Sequence, residues 1–310
     1  MKIALLTDKV APFYSGGYEN RLYQLARKLS VTNEVTIFTS LKSENIHADG
    51  LEFRKISTTA FQEYGTYNRN ILHSALFFVS FALNRKQLKD YDIVIIEAIP
   101  YLHLLSMSKR IRKIGVQVSL DVMEAWCCYR NYEGIMGTVA SKLISALLLR
   151  GIRFSDFVIS LSQVTKRSLI ENFGMEEREV ILVPGGINLK AIWTSLEGKF
   201  YEENPERYDI VSVSRLVKIK RLDDLILAIG KLKDRFQWKG KVAIIGDGPE
   251  KKNLNYLINA LELTGCVKLL GFLPEEGFWD NIISGIVLCN PLSFQGLYAS
   301  GSCIASGCAC

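Results

Sequence analysis

Short apolar runs alternate with amphipathic stretches along the 310 residues of the chain. Runs such as residues 2–7, 34–39 and 91–96 have the length and composition of buried strands. Between such runs, stretches such as residues 163–173 and 251–263 carry apolar residues three or four positions apart, which predicts helices. This alternation predicts an α/β protein built on doubly wound parallel sheets.

A polar segment over residues 191–206, which contains Gly198 and Pro205, interrupts the alternation. The length of the chain allows about two domains. We therefore predict an N-terminal domain over residues 1–190, a linker over 191–206 and a C-terminal domain over 207–310.

Composition excludes several classes of protein. Apolar residues make up 48% and charged residues 23% of the chain, which is typical of a soluble globular protein rather than a disordered one. No apolar run reaches the ~18 residues of a membrane span, and no secretory signal is evident. The seven cysteines do not form the pattern of a secreted disulfide framework. We therefore expect a reduced, cytoplasmic setting.

The formal net charge of +6 is unevenly distributed. Residues 1–190 carry all of the excess, while positive and negative charges balance from residue 191 onward. The basic first half suggests an anionic surface or partner. The helix pattern over 135–149 fits either a core-facing helix or a helix lying on a membrane. Peripheral contact with the inner face of a membrane is therefore an expectation, whereas no nucleic-acid partner is expected.

Two loops that follow predicted strands carry candidate chemistry. Residues 212–220 read SVSRLVKIK and lead into a helix pattern. An anion bound there would meet Arg215, Lys220 and the free N–H groups of a helix N-terminus, although both side chains could equally be solvated cations. After the first strand, Gly16 and Gly17 would let the backbone approach a ligand, or would simply form a tight turn. The lone His73, on a predicted helix over 70–83, is interpreted as a packed or surface residue rather than a ligand.

Several motifs in order carry a family resemblance. The second half contains SRLVKIKRLDDLILA, AIIGDGPEKKNL, VKLLGFLPEE and NPLSFQG. The first half contains the glycine loop, YDIVIIE, SDFVISLSQVTKRSL and ILVPGGIN. Over roughly residues 1–296, this order resembles the retaining glycosyltransferases of the GT-B fold, glycosyltransferase family 4. The resemblance implies two Rossmann-like domains facing a cleft, with a nucleotide sugar on the C-terminal domain and a saccharide or lipid-linked acceptor on the N-terminal domain.

The resemblance also implies roles for particular residues. Arg215 and Lys220 would clamp the donor diphosphate and stabilise the charge of the leaving group, where a metal would otherwise serve. The other implied contacts are Gly246 and Gly248 beneath the nucleotide, Phe272 and Leu273 near its base, and Gly16 and Gly17 across the cleft. No cofactor is expected beyond the donor substrate, and no metal site is expected. Asp223 and Asp224 are interpreted as a helix start.

The chain departs from the family pattern in three places. The family's PNG turn is replaced by Pro184, Gly185 and Gly186, a mild change. The histidine often found after the strand over 116–120 is absent, and Asp121, Met123 and Glu124 stand there instead.

The third departure concerns the family's two glutamates, E-x7-E. These positions fall on Gln295 and Cys303. Gln295 can hydrogen-bond a sugar hydroxyl but cannot act as a carboxylate. Beyond Gly296 the helix and strand periods are lost, from which we hypothesise a corrupted reading frame or chain. The alternative function is an inactive relic or nucleotide-binding module of the same fold.

Overall fold

The computed structural model describes residues 1–13, 17–41, 46–58, 71–107, 117–122, 138–186, 189–197, 207–273 and 275–291. The chain divides into two compact units between residues 186 and 187. The predicted linker over 191–206 begins inside a helix, and its residues 198–206 lie outside the described residues. The predicted domain limits stay a prediction.

An eight-stranded sheet forms the centre of the first unit. Its strands are β1 (Lys2–Leu6), β2 (Glu34–Leu41), β3 (Ile46–Ala48), β4 (Leu51–Thr58), β5 (Ile93–Glu97), β6 (Gln117–Val122), β7 (Phe157–Ser160) and β8 (Val180–Leu182). The spatial order is β3-β4-β2-β1-β5-β6-β7-β8, and every pairing is parallel except that of β3 with β4. From β1 the chain first builds the sheet in one direction and then returns to add β5 on the other side. The carboxyl ends of β1 and β5 therefore meet at a topological switch point, where such sheets bind ligands.

Helices cover both faces of this sheet. They are α1 (Gly17–Leu29), α2 (Ile71–Asn84), α3 (Thr138–Arg153) and α4 (Gln163–Phe173), with 3-10 helices over Arg85–Asp90, Leu102–Ser106 and Glu177–Glu179. On one face, α2, the turn Leu102–Ser106, α3 and α4 share one apolar cluster with the strands. On the opposite face, α1 packs through Leu22, Tyr23 and Ala26.

The second unit contains a four-stranded parallel sheet. Its elements are α5 (Leu189–Leu196), β9 (Tyr208–Val213), α6 (Leu222–Phe236), β10 (Val242–Ile245), α7 (Lys251–Ala260), β11 (Val267–Gly271), α8 (Glu275–Ile283) and β12 (Gly285–Leu288). The order β11-β10-β9-β12 puts β9 between two neighbours. Helices α6 and α7 pack on one face, while Trp279 and Ile282 of α8 pack on the other. The loops after β9 and β12 thus flank the switch point of this sheet.

The predicted helix over residues 103–114 is wrong at its start. The structure has a 3-10 turn over Leu102–Ser106, and Met107 is extended, with φ −68° and ψ 130°. His103, Leu104 and Met107 are all buried, and their spacing is that of one face of an α-helix, so local periodicity does not reveal that the turn ends here. Residues 108–114 lie outside the described residues. No helix in the described part of the chain is long and apolar enough to cross a membrane.

Candidate functional site

The loop between β9 and α6 holds both predicted cations at the carboxyl edge of the second sheet. Arg215 is exposed in the loop, and Lys220 is partly buried at the end of a 3-10 turn, Lys218–Lys220. The two predicted residues therefore lie in one connection, between the end of a central strand and the start of a helix. This position places them where open parallel sheets bind their ligands.

Arg221 connects this turn to α6 through a left-handed backbone conformation, with φ 47° and ψ 38°. Its guanidinium lies 2.6 Å from a carboxylate oxygen of Asp224 and 3.5 Å from one of Asp223. Both carboxylates lie in the first turn of α6, where they interact favourably with the helix dipole. The interpretation of Asp223 and Asp224 as a helix start is therefore confirmed.

Gly246 and Gly248, in the loop after β10, lie directly against the backbone of the Arg215 loop. Gly246 has φ +137°, and a Cβ on it would stand 1.9 Å from the carbonyl oxygen of Ser214. Gly248 has φ +158°, and its Cβ would stand 2.4 Å from the carbonyl oxygen of Leu216. No real Cβ tolerates such contacts, so both positions require glycine.

Backbone hydrogen bonds join these two loops. The N–H of Ser214 donates to Ile245 O over 3.1 Å, and the N–H of Leu216 donates to Asp247 O over 3.0 Å. The N–H of Glu250 donates back to Leu216 O over 3.0 Å. Ser214 and Leu216, the residues on either side of Arg215, are thus both hydrogen-bonded to the neighbouring strand end and loop.

Asp247 stabilises the glycine loop from within. Its carboxylate accepts hydrogen bonds from Lys251 Nζ and from the N–H of Gly248, both over 2.7 Å. The Lys251 ammonium, followed by the Gly248 N–H, lowers the pKa of Asp247. The carboxylate is therefore committed to the loop and to the first turn of α7.

The loop after β11 places its two predicted residues in different environments. The Phe272 side chain is 59% exposed and presents an open aromatic face. Leu273 is partly buried and packs against the apolar cluster that contains Trp279. An exposed ring suits stacking on a nucleotide base, whereas Leu273 supports the loop from below.

Asn290, which follows β12, is a residue whose role the sequence interpretation missed. Its Oδ1 accepts hydrogen bonds from Val213 N over 3.1 Å and from Ser212 Oγ over 3.3 Å. It therefore ties the end of β12 to the end of β9 at the switch point. The available signal was an asparagine directly after a predicted strand, the position in which polar residues line such sites.

Two predicted positions have no described geometry. Gly16 and Gln295 lie outside the described residues, as does Cys303. Gly17 is the first residue of α1, and a Cβ added to it would meet nothing within 4 Å. Among the described residues, the space beside Gly17 is therefore open, at the amino end of a helix.

The first unit contains a buried polar cluster at its own switch point, which the sequence interpretation did not find. Thr7 follows β1, and its hydroxyl donates a hydrogen bond to the carboxylate of Glu97 at the end of β5. Asp8 is also fully buried, with an oxygen 3.4 Å from Nε2 of His73 on α2. His73 is therefore packed, as predicted, but packed against a carboxylate.

Asp121 and Arg21 join two distant segments within this cluster. Arg21 Nη1 donates to Asp121 Oδ2 over 2.6 Å, and Asp121 is fully buried. Burial raises the pKa of Asp121, while the Arg21 guanidinium opposes this shift. Its second oxygen, Oδ1, accepts no hydrogen bond from the residues that the structure describes. Burial, together with the nearby carboxylates of Glu97 and Asp121, also raises the pKa of Tyr18.

No group of three His, Cys, Asp or Glu side chains within the described ranges is arranged to hold a metal ion. The carboxyl edges of the two sheets offer different chemistry. The edge of the second sheet presents cations, backbone glycines and an exposed ring. The edge of the first sheet presents buried carboxylates with partners on α1 and α2.

Curated relatives match part of the chain. The alpha-monoglucosyldiacylglycerol synthase of Acholeplasma laidlawii is 29% identical over 130 residues, which is 38% of this chain and 32% of that protein. An uncharacterized glycosyltransferase of Methanocaldococcus jannaschii is 26% identical over 119 residues, 36% of this chain and 30% of its own. The matches thus span about a third of the length of these relatives.

Solved structures share the fold over almost the whole chain. Sucrose-phosphate synthase from Thermosynechococcus elongatus has a TM-score of 0.73 at 15% identity, covering 98% of this chain and 78% of that one. HepE of Anabaena, solved with UDP and glucose, has a TM-score of 0.67 at 14% identity, covering 99% and 78%. The predicted α/β architecture of parallel-sheet, Rossmann-like domains, the GT-B fold, is confirmed.

Family comparisons assign both halves of the chain. The sequence profile described as Glycosyltransferase Family 4 matches residues 15–191. The profile described as Glycosyl transferases group 1 matches residues 197–283. The first match alone covers more than half of the chain, so this chain belongs to Glycosyltransferase Family 4.

Proposed function

We propose that the chain is a glycosyltransferase, which moves a sugar from a nucleoside-diphosphate sugar to a saccharide or lipid-linked acceptor with retention of anomeric configuration. The observation that carries this proposal is the close backbone contact between the loops after β9 and β10. Backbone contacts at Gly246 and Gly248 hold the loop that carries Arg215 and Lys220 at the carboxyl edge of the sheet. Family membership and the UDP bound by HepE support a nucleotide ligand there.

The chemistry of the donor explains the need for two fixed cations. Transfer breaks the bond between C1 of the sugar and the diphosphate oxygen, and negative charge develops on the departing diphosphate. Arg215 and Lys220 stabilise that charge, which lowers the barrier without requiring a metal. The departing phosphate oxygen takes the proton of the attacking hydroxyl, so that no separate protein base is needed.

The acceptor belongs, in this proposal, to the carboxyl edge of the first sheet. Asp121 is one of the residues that stand where the family often has a histidine, and its buried Oδ1 accepts no hydrogen bond from the described residues. Arg21 holds the same carboxylate in a fixed orientation. A polyhydroxylated acceptor suits such an edge because sugar hydroxyls both donate and accept hydrogen bonds.

Turnover measured across a panel of nucleotide sugars tests the proposal, beginning with UDP-glucose. Arg215→Ala and Lys220→Ala should each lower turnover by about 10²- to 10³-fold, by analogy with the loss of a charge-stabilising donor. Lys218→Ala is the matched control, because it removes an exposed cation from the same turn. Equal turnover by Arg215→Ala and the control would sink the assignment of the clamp.

The second candidate is an inactive relic or nucleotide-binding module. It is favoured by the residues Gln295 and Cys303 at the positions of the family's two glutamates. Calorimetric binding of UDP and GDP distinguishes the two functions. Binding that depends on Arg215, without turnover of any donor in the panel, would favour the module over the enzyme.

A further inference from the structure

Helix α2 has its polar and apolar faces in an unusual arrangement. It contains no charged residue, and its inner face buries His73, Phe77 and Phe81 against the sheet. Its outer face carries aliphatic side chains in solvent: Leu72, Leu76, Val79 and Leu83 are 54%, 39%, 50% and 76% exposed. The solvent face of a helix in a globular protein is normally polar, so this face indicates a contact.

The spacing of these four residues makes them one continuous stripe. Steps of four, three and four positions return to nearly the same side of an α-helix, because a turn takes 3.6 residues. The stripe runs about 17 Å along the helix at 1.5 Å per residue. It is therefore a linear apolar edge rather than a scatter of single exposed residues, which would need no explanation.

The neighbouring elements on this face of the sheet also expose aliphatic side chains. The turn Leu102–Ser106 and α3 share the buried cluster of α2 on the same face of the sheet, so their outer sides point away from the sheet together. Arg150 of α3 donates a hydrogen bond to Leu105 O over 3.2 Å. We define the α2–α3 surface by its exposed apolar side chains: Leu72, Leu76, Val79, Leu83, Leu105, Val139, Leu143 and Leu149.

Cations border this surface. Lys86 and Lys89 are exposed just after α2, next to one exposed carboxylate, Asp90, and Lys142 and Arg153 are exposed on α3. Helix α2, the turn Leu102–Ser106 and α3 contain no acidic residue. A two-fold contact between copies of this surface would therefore bring cations against cations. Nucleic acid would satisfy the cations but would leave the apolar centre without a partner.

We propose that the α2–α3 surface docks on an anionic lipid bilayer. The aliphatic side chains would enter the boundary between headgroups and acyl chains, while the lysines and arginines would meet lipid phosphates. This arrangement goes beyond the proposed function, because neither the donor loops nor the buried carboxylates take part in it. Vesicle binding needs no sugar substrate, so its outcome is independent of the outcome of the turnover assay.

Co-sedimentation of the full chain with vesicles tests the proposal. The chain should bind vesicles of phosphatidylglycerol and phosphatidylcholine at low salt, bind pure phosphatidylcholine weakly, and lose affinity as salt screens the charges. Leu83→Glu should weaken binding at least about tenfold, because it places a charge where an exposed aliphatic side chain would enter the bilayer. Val31→Glu is the matched control, since Val31 is also 76% exposed but follows α1 on the opposite face.

Thermal unfolding and sedimentation velocity complete the experiment. Both variants change exposed residues, so their unfolding midpoints should equal that of the parent chain. The proposal is overturned if Leu83→Glu binds vesicles as well as Val31→Glu does. It is equally overturned if the parent chain binds no anionic vesicle, or if Leu83→Glu instead dissociates a dimer of the parent chain.

Discussion

His103 is a buried imidazole whose surroundings favour its neutral form. Its ring lies between Phe77 and Phe81, with centroid separations of 5.4 Å and 6.1 Å in edge-to-face geometry. Its Nε2 lies 2.7 Å from the carbonyl oxygen of Glu97, so this nitrogen carries the proton that it donates. Burial lowers the pKa of His103 to about 4, whereas hydrogen bonding to Glu97 partly opposes the shift.

His103 should therefore make the chain sensitive to mild acid. The ordinary pKa of histidine is ~6.5, so between this pH and pH 4 His103 is protonated in the unfolded chain but stays neutral in the folded chain. The free energy of unfolding is therefore unaffected by His103 above about pH 6.5, and it falls by up to about 3 kcal/mol as the pH drops to 4. His103→Gln keeps a donor for the Glu97 carbonyl without titrating. Urea unfolding across this range should show a shallower loss of stability in His103→Gln than in the parent chain. Identical slopes would contradict the assignment.

At the scale of elements, the close contact between the loops after β9 and β10 explains why positions 246 and 248 accept only glycine. A methyl group at residue 246 would meet the Ser214 carbonyl, and its backbone φ of +137° is unfavourable for other residues. Gly246→Ala should lower the free energy of unfolding by at least about 2 kcal/mol. Gly265→Ala is the matched control, because its Cβ would meet nothing within 4 Å. Denaturant titration of both variants checks this, and equal midpoints would show that the loops separate easily.

The elements that local pattern predicts well are those with strong periodicity. Helix α4 begins and ends at the predicted residues 163 and 173, where Ser162 caps it and Gly174 adopts the left-handed conformation that ends it. The prediction of a helix from residue 103 was wrong, because the chain forms a 3-10 turn that ends at an extended Met107, although the buried residues there have helical spacing. The spacing of apolar residues predicts that a segment is helical, but it does not predict where packing in the folded chain ends the helix.

Long-range pairs lay beyond prediction for a different reason. Arg21 and Asp121 are 100 positions apart, and they meet because α1 and β6 reach the same edge of one sheet. A single sequence contains no signal that links such positions, whereas Arg215 and Lys220 could be predicted as a pair because one short loop carries both. The residues of the loop after β9 were therefore accessible to sequence reasoning, and the buried carboxylates of the first unit were not.

At the scale of the molecule, each unit has its own apolar clusters. Two clusters lie within the first sheet and its helices, and two lie within the second. Calorimetry of the chain should therefore resolve two transitions. Gly246→Ala should lower one of them, and UDP at a hundredfold excess over its Kd should raise the same transition, adding about 2.7 kcal/mol of stability. A shift of the other transition by UDP would place the nucleotide site on the first unit.

The hydrogen bonds of Leu216 have a thermodynamic consequence for any ligand of this loop. The backbone of this residue donates one hydrogen bond to the neighbouring loop and accepts another from it. The loop segment beside Arg215 is therefore fixed by backbone hydrogen bonds, as a strand would be. Its conformational entropy is lost when the chain folds and not when a ligand arrives. A diphosphate bound there, as proposed, would meet a preorganised surface, and its affinity would be reduced by little more than its own loss of freedom.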